Sequence, residues 1–289
     1  MDIDSNYRVT NHPNKDFIPF EIDYLQSFTL LHKLLWDKRE LVNSKIYSTI
    51  NVQVPNFILS QEEGWDPEIP HYSETPSQIT QLSVEDIFLE YEANYGNSGM
   101  KARHLLPCGA RQLLIREAYK ETLAMVKTYE AERVGDMKRV KLPDGTFKSI
   151  QDFSSRQATD KGYVISGHPG IGKTWFLSYL LVERLLSGFP TVFQVQHGNT
   201  VDMHYFFNES GVDILNTKSV RKIAQESRIW ALVDQQPIGL AADLNRIEWL
   251  FIITSSPNVK TLKTIAKKHG ITETYYMPVW GWSEIVAAA

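Results

Sequence analysis

Cysteine is almost missing from this chain of 289 residues: Cys108 stands alone. One thiol cannot close an internal disulfide and leaves no paired thiolates for a zinc cluster, which fits a reducing compartment. His104, His168, His197 and His204 fall at no metal-site spacing with acids or with Cys108, so zinc chemistry is not expected. Long apolar runs are lacking too. The greasiest stretch, Trp175 to Leu186, is interrupted by Glu183 and Arg184 and is well short of the ~20 residues that cross a bilayer. Residues 1–20 show no apolar segment with basic flanks, hence no secretory signal. Nor is there an excess of positive charge. With 30 Lys and Arg against 34 Asp and Glu, the formal net charge is −4, which argues against broad electrostatic capture of nucleic acid or an anionic membrane. The expectation is an intracellular protein, cytoplasmic or nuclear, with no membrane association. What is present, 43% hydrophobic and 11% aromatic residues, is enough to bury a core in one large domain or two ordinary ones.

Glycine is concentrated in one short stretch. Gly167-His168-Pro169-Gly170-Ile171-Gly172-Lys173-Thr174 fits G-x-x-x-x-G-K-[ST] at every fixed position, between a buried strand at Tyr163 to Ser166 and a helix from Trp175 to Leu186. Glycines at 167, 170 and 172 permit positive φ and close approach, so successive backbone N–H groups can form an anion nest at the positive end of a helix. Pro169 stiffens the loop. Lys173 would reach the outer phosphates as a point charge, and the Thr174 hydroxyl would complete the shell of a Mg²⁺ ion. The expected nucleotide contacts are therefore Gly167, His168, Pro169, Gly170, Ile171, Gly172, Lys173, Thr174 and Trp175. A glycine-rich turn without a ligand would need neither the lysine nor the threonine.

Strand and helix alternate after this loop, which implies a parallel sheet covered on both faces. Strands are expected at Thr191 to Val195, Arg228 to Asp234, Trp249 to Thr254 and Thr274 to Met277, with two short β segments near Met203 to Phe207 and Val212 to Leu215. A helix capped by Thr217 and another from Asn258 to His269 separate them. Asp234 closes its apolar strand at the edge where ligands sit in open α/β sheets, so it reads as the Walker B carboxylate and, with Thr174, as the metal-holding pair. The resulting fold class is α/β, a P-loop NTPase core with a mainly parallel five-stranded sheet.

A mostly helical α+β region precedes it. An amphipathic helix is expected from Glu21 to about Val42, a strand at Ile50 to Val54, and a helix opened by a capping box at Ser83-Val84-Glu85-Asp86. A long helix should run from Ala110 to about Val134, with charges filling the positions between its apolar residues, followed by a hairpin over Met137 to Ile150. The boundary is placed at 153/154, giving an accessory region 1–153 and a nucleotide-binding domain 154–289.

The run Gly167 to Leu186, then Trp230 to Asp234, Ile253 to Pro257 and Met277 to Ile285, resembles the P-loop ATPase module of crinkler and retrotransposon-hot-spot-type proteins. The resemblance implies an AAA/STAND-like ATPase module using ATP and Mg²⁺, of a kind often joined to a nuclease-like or other effector domain. It departs in two places: Asp234 is followed by Gln235, where AAA-type ATPases usually place an acidic residue that polarises the attacking water, and the nucleotide-binding domain is expected to be truncated at Ala289, ahead of the lid and effector domain that often follow in that family.

Lys173, Asp234 and Gln235 are accordingly the candidate catalytic residues of a nucleotide-dependent switch with slow or partner-assisted Mg-ATP hydrolysis. Its partners would be the nucleotide and a protein, or a second copy, engaged through the N-terminal region. A non-hydrolysing nucleotide-bound interaction protein is the first alternative. A P-loop kinase, with Arg221 and Lys222 as lid cations, is the second. Lys260, Lys263, Lys267 and Lys268 read as the wet face of a helix and receive no catalytic role.

Overall fold

The computed structural model describes residues 19–52, 55–56, 71–72, 77–89, 106–135, 137–141, 147–151, 162–195, 203–224, 226, 228–234, 248–257 and 273–288. Residues 1–18, Gln235, and the helix expected over 258–269 with its lysines all lie outside the described residues.

The N-terminal half begins with α1 (Pro19–Leu35) and α2 (Arg39–Ile46). One helix was expected here. It breaks at Asp37, whose φ of 51° no helix accommodates, and the freed Asp37 N–H donates to Leu185 O at 2.9 Å. Strands β1 (Tyr47–Val52), β4 (Ser77–Ser83) and β5 (Gln112–Ile115) then form an antiparallel sheet in the order β1-β4-β5, with the short pair β2 (Pro55–Asn56) and β3 (His71–Tyr72) inserted between the first two. Helix α3 (residues 85–89) follows β4. The helix expected from Ala110 starts only at Glu117, as α4 (Glu117–Gly135), because 112–115 pair with β4 instead. The hairpin β6 (Met137–Lys141) and β7 (Phe147–Gln151) closes this half.

Among the described residues of the C-terminal half, seven strands make one sheet. Five are parallel, in the order β9 (Thr191–Val195), β12 (Trp230–Asp234), β13 (Leu250–Ser255), β8 (Gly162–Ser166) and β14 (Glu273–Tyr276). The two short β segments join the same sheet: β10 (Met203–Asn208) and β11 (Gly211–Ile214) add antiparallel to β9 and extend it to seven. This mixed α/β arrangement, with its mostly parallel sheet, is compatible with a P-loop NTPase-like fold.

Every residue of β13 is buried, as continuous apolar runs of parallel strands require. Alternate side chains go to opposite faces. Trp230 and Leu232 join a core with α5 (Lys173–Leu186), whereas Ala231 and Val233 join another with Val220 and Ala224. Val220 lies in α6 (Thr217–Ile223), where the Asn216 Oδ1 just before the helix accepts from Ser219 N–H at 3.0 Å. Gly162 opens β8 where a Cβ would lie 1.9 Å from Phe251 O, so only glycine lets β8 pair closely with β13.

The first core does not stop at the C-terminal half. Helix α5 is buried from Phe176 to Leu186, and Phe28, Leu31 and Leu35 of α1 and Tyr119 and Val126 of α4 belong to the same apolar cluster. Phe28 packs edge-on to Tyr205 at 4.8 Å, and Tyr119 lies 5.4 Å from Phe176. Polar ties follow the same route: Glu183 of α5 accepts from Arg39 Nη2 at 2.9 Å and from Tyr47 OH at 2.5 Å. The last described helix, α7 (Trp282–Ala288), contacts β1, β4 and β5.

Candidate functional site

The loop after β8 carries the site. Its glycines take positive φ, 153° at Gly167, 78° at Gly170 and 88° at Gly172, and Gly172 caps α5 in the left-handed region. Side chains rarely adopt such angles, which is why the spacing of glycines was legible. Lys173 folds back over this loop, and its Nζ donates to Gly167 O and to His168 O, each at 2.8 Å. An ammonium has three donors, so one remains for an anion. Burial lowers the Lys173 pKa, while the Asp234 carboxylate pulls it back up. His168 is exposed, Ile171 is buried, and Trp175 is 39% exposed on the first turn of α5.

Register brings the carboxylate to the loop. Asp234 ends β12 directly beside Thr254 of β13, and Ser255 sits beside Ser166, the last residue before the loop. The two Asp234 oxygens are used separately: Oδ2 accepts from Thr174 Oγ1 at 2.7 Å and Oδ1 from Thr254 Oγ1 at 2.5 Å. A hydroxyl that gives its proton to a carboxylate turns its lone pairs elsewhere. The Thr174 oxygen is thus set as a hard ligand, and an oxygen-only donor set with room for water and phosphate fits Mg²⁺. Thr174 would hold such an ion directly and Asp234 through Thr174 or a water. Among the described residues no group of three or more His, Cys, Asp or Glu gathers into a metal site of another kind.

A second set of residues reaches the loop from behind, and sequence reading missed it. Arg116, one of several charged residues in the stretch expected to be helical from Ala110, is 1% exposed. Its Nη1 donates to Ile171 O at 2.7 Å, its Nη2 to Pro278 O at 3.0 Å and its Nε to Glu284 Oε2 at 3.0 Å. Tyr119, one turn further into α4, donates its hydroxyl to Gly172 O at 2.6 Å. Burial raises the pKa of that phenol, so it stays a donor. From the other side Trp280 Nε1 donates to Gly170 O at 3.2 Å, and its ring lies 4.8 Å from the Arg116 guanidinium carbon. Nothing in a charged residue following Leu113-Leu114-Ile115 signals these partners, which lie more than fifty residues away in the chain.

No family model matches the sequence, and the curated proteins give no match. Among solved structures, the chain has a weak likeness to C. elegans PCH-2, with a TM-score of 0.29 and 14% identity over 57% of this chain and 42% of that one. A TM-score of that size establishes no common fold, and the chain spans less than half the length of that relative. Among the described residues no helix is long and apolar enough to cross a membrane.

Proposed function

We propose that this chain is an ATP-binding P-loop NTPase module, AAA/STAND-like in the manner of the crinkler and retrotransposon-hot-spot-type proteins, acting as a nucleotide-dependent switch. The observation that carries the reading is the pairing of a positive-φ glycine loop and Lys173 with the Thr174–Asp234 hydrogen bond at 2.7 Å. These supply the two things a Mg-nucleotide needs, an anion cradle and an oxygen ligand beside it. Lys173 and the loop amides bind and orient phosphates. Mg²⁺, held at Thr174 and Asp234, would supply charge neutralisation between the phosphate oxygens. Gln235 follows Asp234 in sequence, and a neutral amide orients a water without accepting its proton, so hydrolysis is slow or assisted by a partner. A protein partner, or a second copy, would act through the N-terminal elements that share the core of α5.

Nucleotide binding with parallel phosphate release on the purified protein tests this. Mg-ATP and Mg-ADP at millimolar concentration should raise the melting temperature, since a ligand specific for the folded state stabilises it by mass action. Lys173→Ala removes a charge-assisted contact of about 1.5–3 kcal/mol and should weaken affinity by roughly ten- to a hundredfold. Absence of any melting shift with either nucleotide would refute the reading. Binding with no phosphate release would instead favour the non-hydrolysing interaction protein, which the amide at Gln235 makes the second reading.

A further inference from the structure

Three consecutive peptide carbonyls of the phosphate loop are each received by a side chain from outside the loop. Trp280 takes Gly170 O, Arg116 takes Ile171 O and Tyr119 takes Gly172 O. A trans peptide unit points its N–H away from its C=O, and there is no cis peptide here. Holding those three carbonyls outward therefore turns the N–H groups of Ile171, Gly172 and Lys173 to the opposite side of the backbone. Those amides are the ones an anion nest is built from. The contact at Gly172 is close enough that a Cβ there would meet Tyr119 Oη at 2.1 Å.

The brace is itself held by one carboxylate. Glu284 accepts from Arg116 Nε at 3.0 Å, from Gly281 N–H at 2.8 Å and from Glu117 N–H at 3.3 Å. It joins the first turn of α4 to the first turn of α7 and occupies the third helical position of α7, where a Glu reaches back to the capping residue. Arg116 also donates to Pro278 O at 3.0 Å. The guanidinium thus bridges the loop to the segment that leads into α7, and it can do so fully only while α7 is docked.

We propose that Arg116, Tyr119 and Trp280 are positioning residues that pre-orient the phosphate-binding amides, and that docking of α7 through Glu284 sets how well they do so. This deepens the nucleotide-switch reading and rests on it, because it names what regulates the site. A partner that pulls the 277–288 segment away would lower phosphate affinity, and bound phosphate would in turn favour the docked segment, since such coupling is reciprocal. Pre-organised donors bind more tightly because their ordering cost is met before the ligand arrives.

The test uses the full chain with Tyr119→Phe, Glu284→Gln and Arg116→Met. Titrations with ADP and with inorganic pyrophosphate are read alongside melting temperature and amide hydrogen exchange over residues 167–174. Tyr119→Phe keeps the ring against Phe176 and Tyr179 and deletes one donor, so both affinities should fall by roughly two- to tenfold. Glu284→Gln should do the same without touching the loop. Arg116→Met should lose about ten- to a hundredfold if it folds, and the first two variants decide the matter if it does not. Equal losses for ADP and pyrophosphate, with faster exchange at 171–173, mark an effect at the phosphates that a general loss of stability would not produce. Unchanged affinity and unchanged loop exchange in folded Tyr119→Phe and Glu284→Gln would overturn the brace and leave the nucleotide reading standing. If the native chain binds neither ligand, the nucleotide reading fails. Loop exchange then decides the brace alone: acceleration in the variants supports it and no change refutes it.

Discussion

Asp234→Asn removes one negative charge and almost no volume, and the two bonds of Asp234 show what should follow. The carboxylate accepts from Thr174 Oγ1 at 2.7 Å and from Thr254 Oγ1 at 2.5 Å, one hydroxyl on each oxygen. An amide keeps one of these as an acceptor, but its NH₂ donates, so the other threonine must reverse its hydroxyl. If the reversed group is Thr174, one of its two lone pairs is spent on the amide and its proton turns outward, which weakens it as a metal ligand. A bond to a charged acceptor is worth about 1.5–3 kcal/mol against about 0.5–1.5 for a neutral one, so the pair loses about 2 kcal/mol. Fold stability should fall by less than that, because Asp234 is only half-buried. The Mg²⁺-dependent share of ATP affinity should fall by roughly ten- to a hundredfold. Without metal the sign reverses. The lost carboxylate no longer repels the phosphates, so ATP in EDTA should bind the variant as tightly as the native chain or more tightly. Calorimetric titration of both proteins with ATP, in Mg²⁺ and in EDTA, measures both signs. An unchanged Mg²⁺ increment in the variant would refute the placing of Asp234 beside the ion and leave it a link between Thr174 and Thr254.

Gly162→Ala should cost about 1–3 kcal/mol or more by denaturant titration, since its Cβ meets Phe251 O at 1.9 Å and backbone cannot step aside. His204 is buried in β10, and burial lowers its pKa from 6.5 to about 4. The unfolded chain therefore takes up the proton first, so stability is full above about pH 6.5 and is lost as pH falls toward 4, by up to about 3 kcal/mol at about 1.4 kcal/mol per unit. Burial lowers the pKa of His32 too, with the same sign, and His204→Leu should flatten the larger part of the slope in pH-dependent melts. Gln235→Glu should accelerate phosphate release if a carboxylate at that position serves as base, by up to ~10²–10⁴-fold with ATP affinity within a few fold. Fast native turnover untouched by this substitution would show the position has no such role.

The phosphate loop and the strands ending at Asp234 and Ser255 were legible because their signals are local. Glycines at 167, 170 and 172 reflect positive φ or close approach, and unbroken apolar runs reflect strands buried on both faces. Where the reading slipped, a tertiary contact decided the outcome. Leu113 and Leu114 suit a helix as well as a strand until β4 offers its edge, and Asp37 looks like any helical surface residue until Leu185 O takes its N–H. Arg116 was the costliest miss. Arginine is seldom fully buried, and a buried guanidinium is betrayed by its acceptors, which here are two carbonyls and a carboxylate distant in sequence.

The apolar cluster shared by α1, α4 and α5 bears on how this chain can be handled as a reagent. A fragment starting near residue 154 would look, from its motifs alone, like a self-sufficient piece to express. It would arrive with Phe193, Tyr205 and Phe207 stripped of Phe28, and with Phe176 and Tyr179 stripped of Tyr119. Exposed aromatic patches of that kind drive self-association. The fragment would also lose the donors at Ile171 O and Gly172 O, so even a soluble preparation would under-report affinity. Aggregation or weak binding in such a fragment would therefore say nothing against the intact chain, and expression of the N-terminal half alongside it is the remedy the packing recommends.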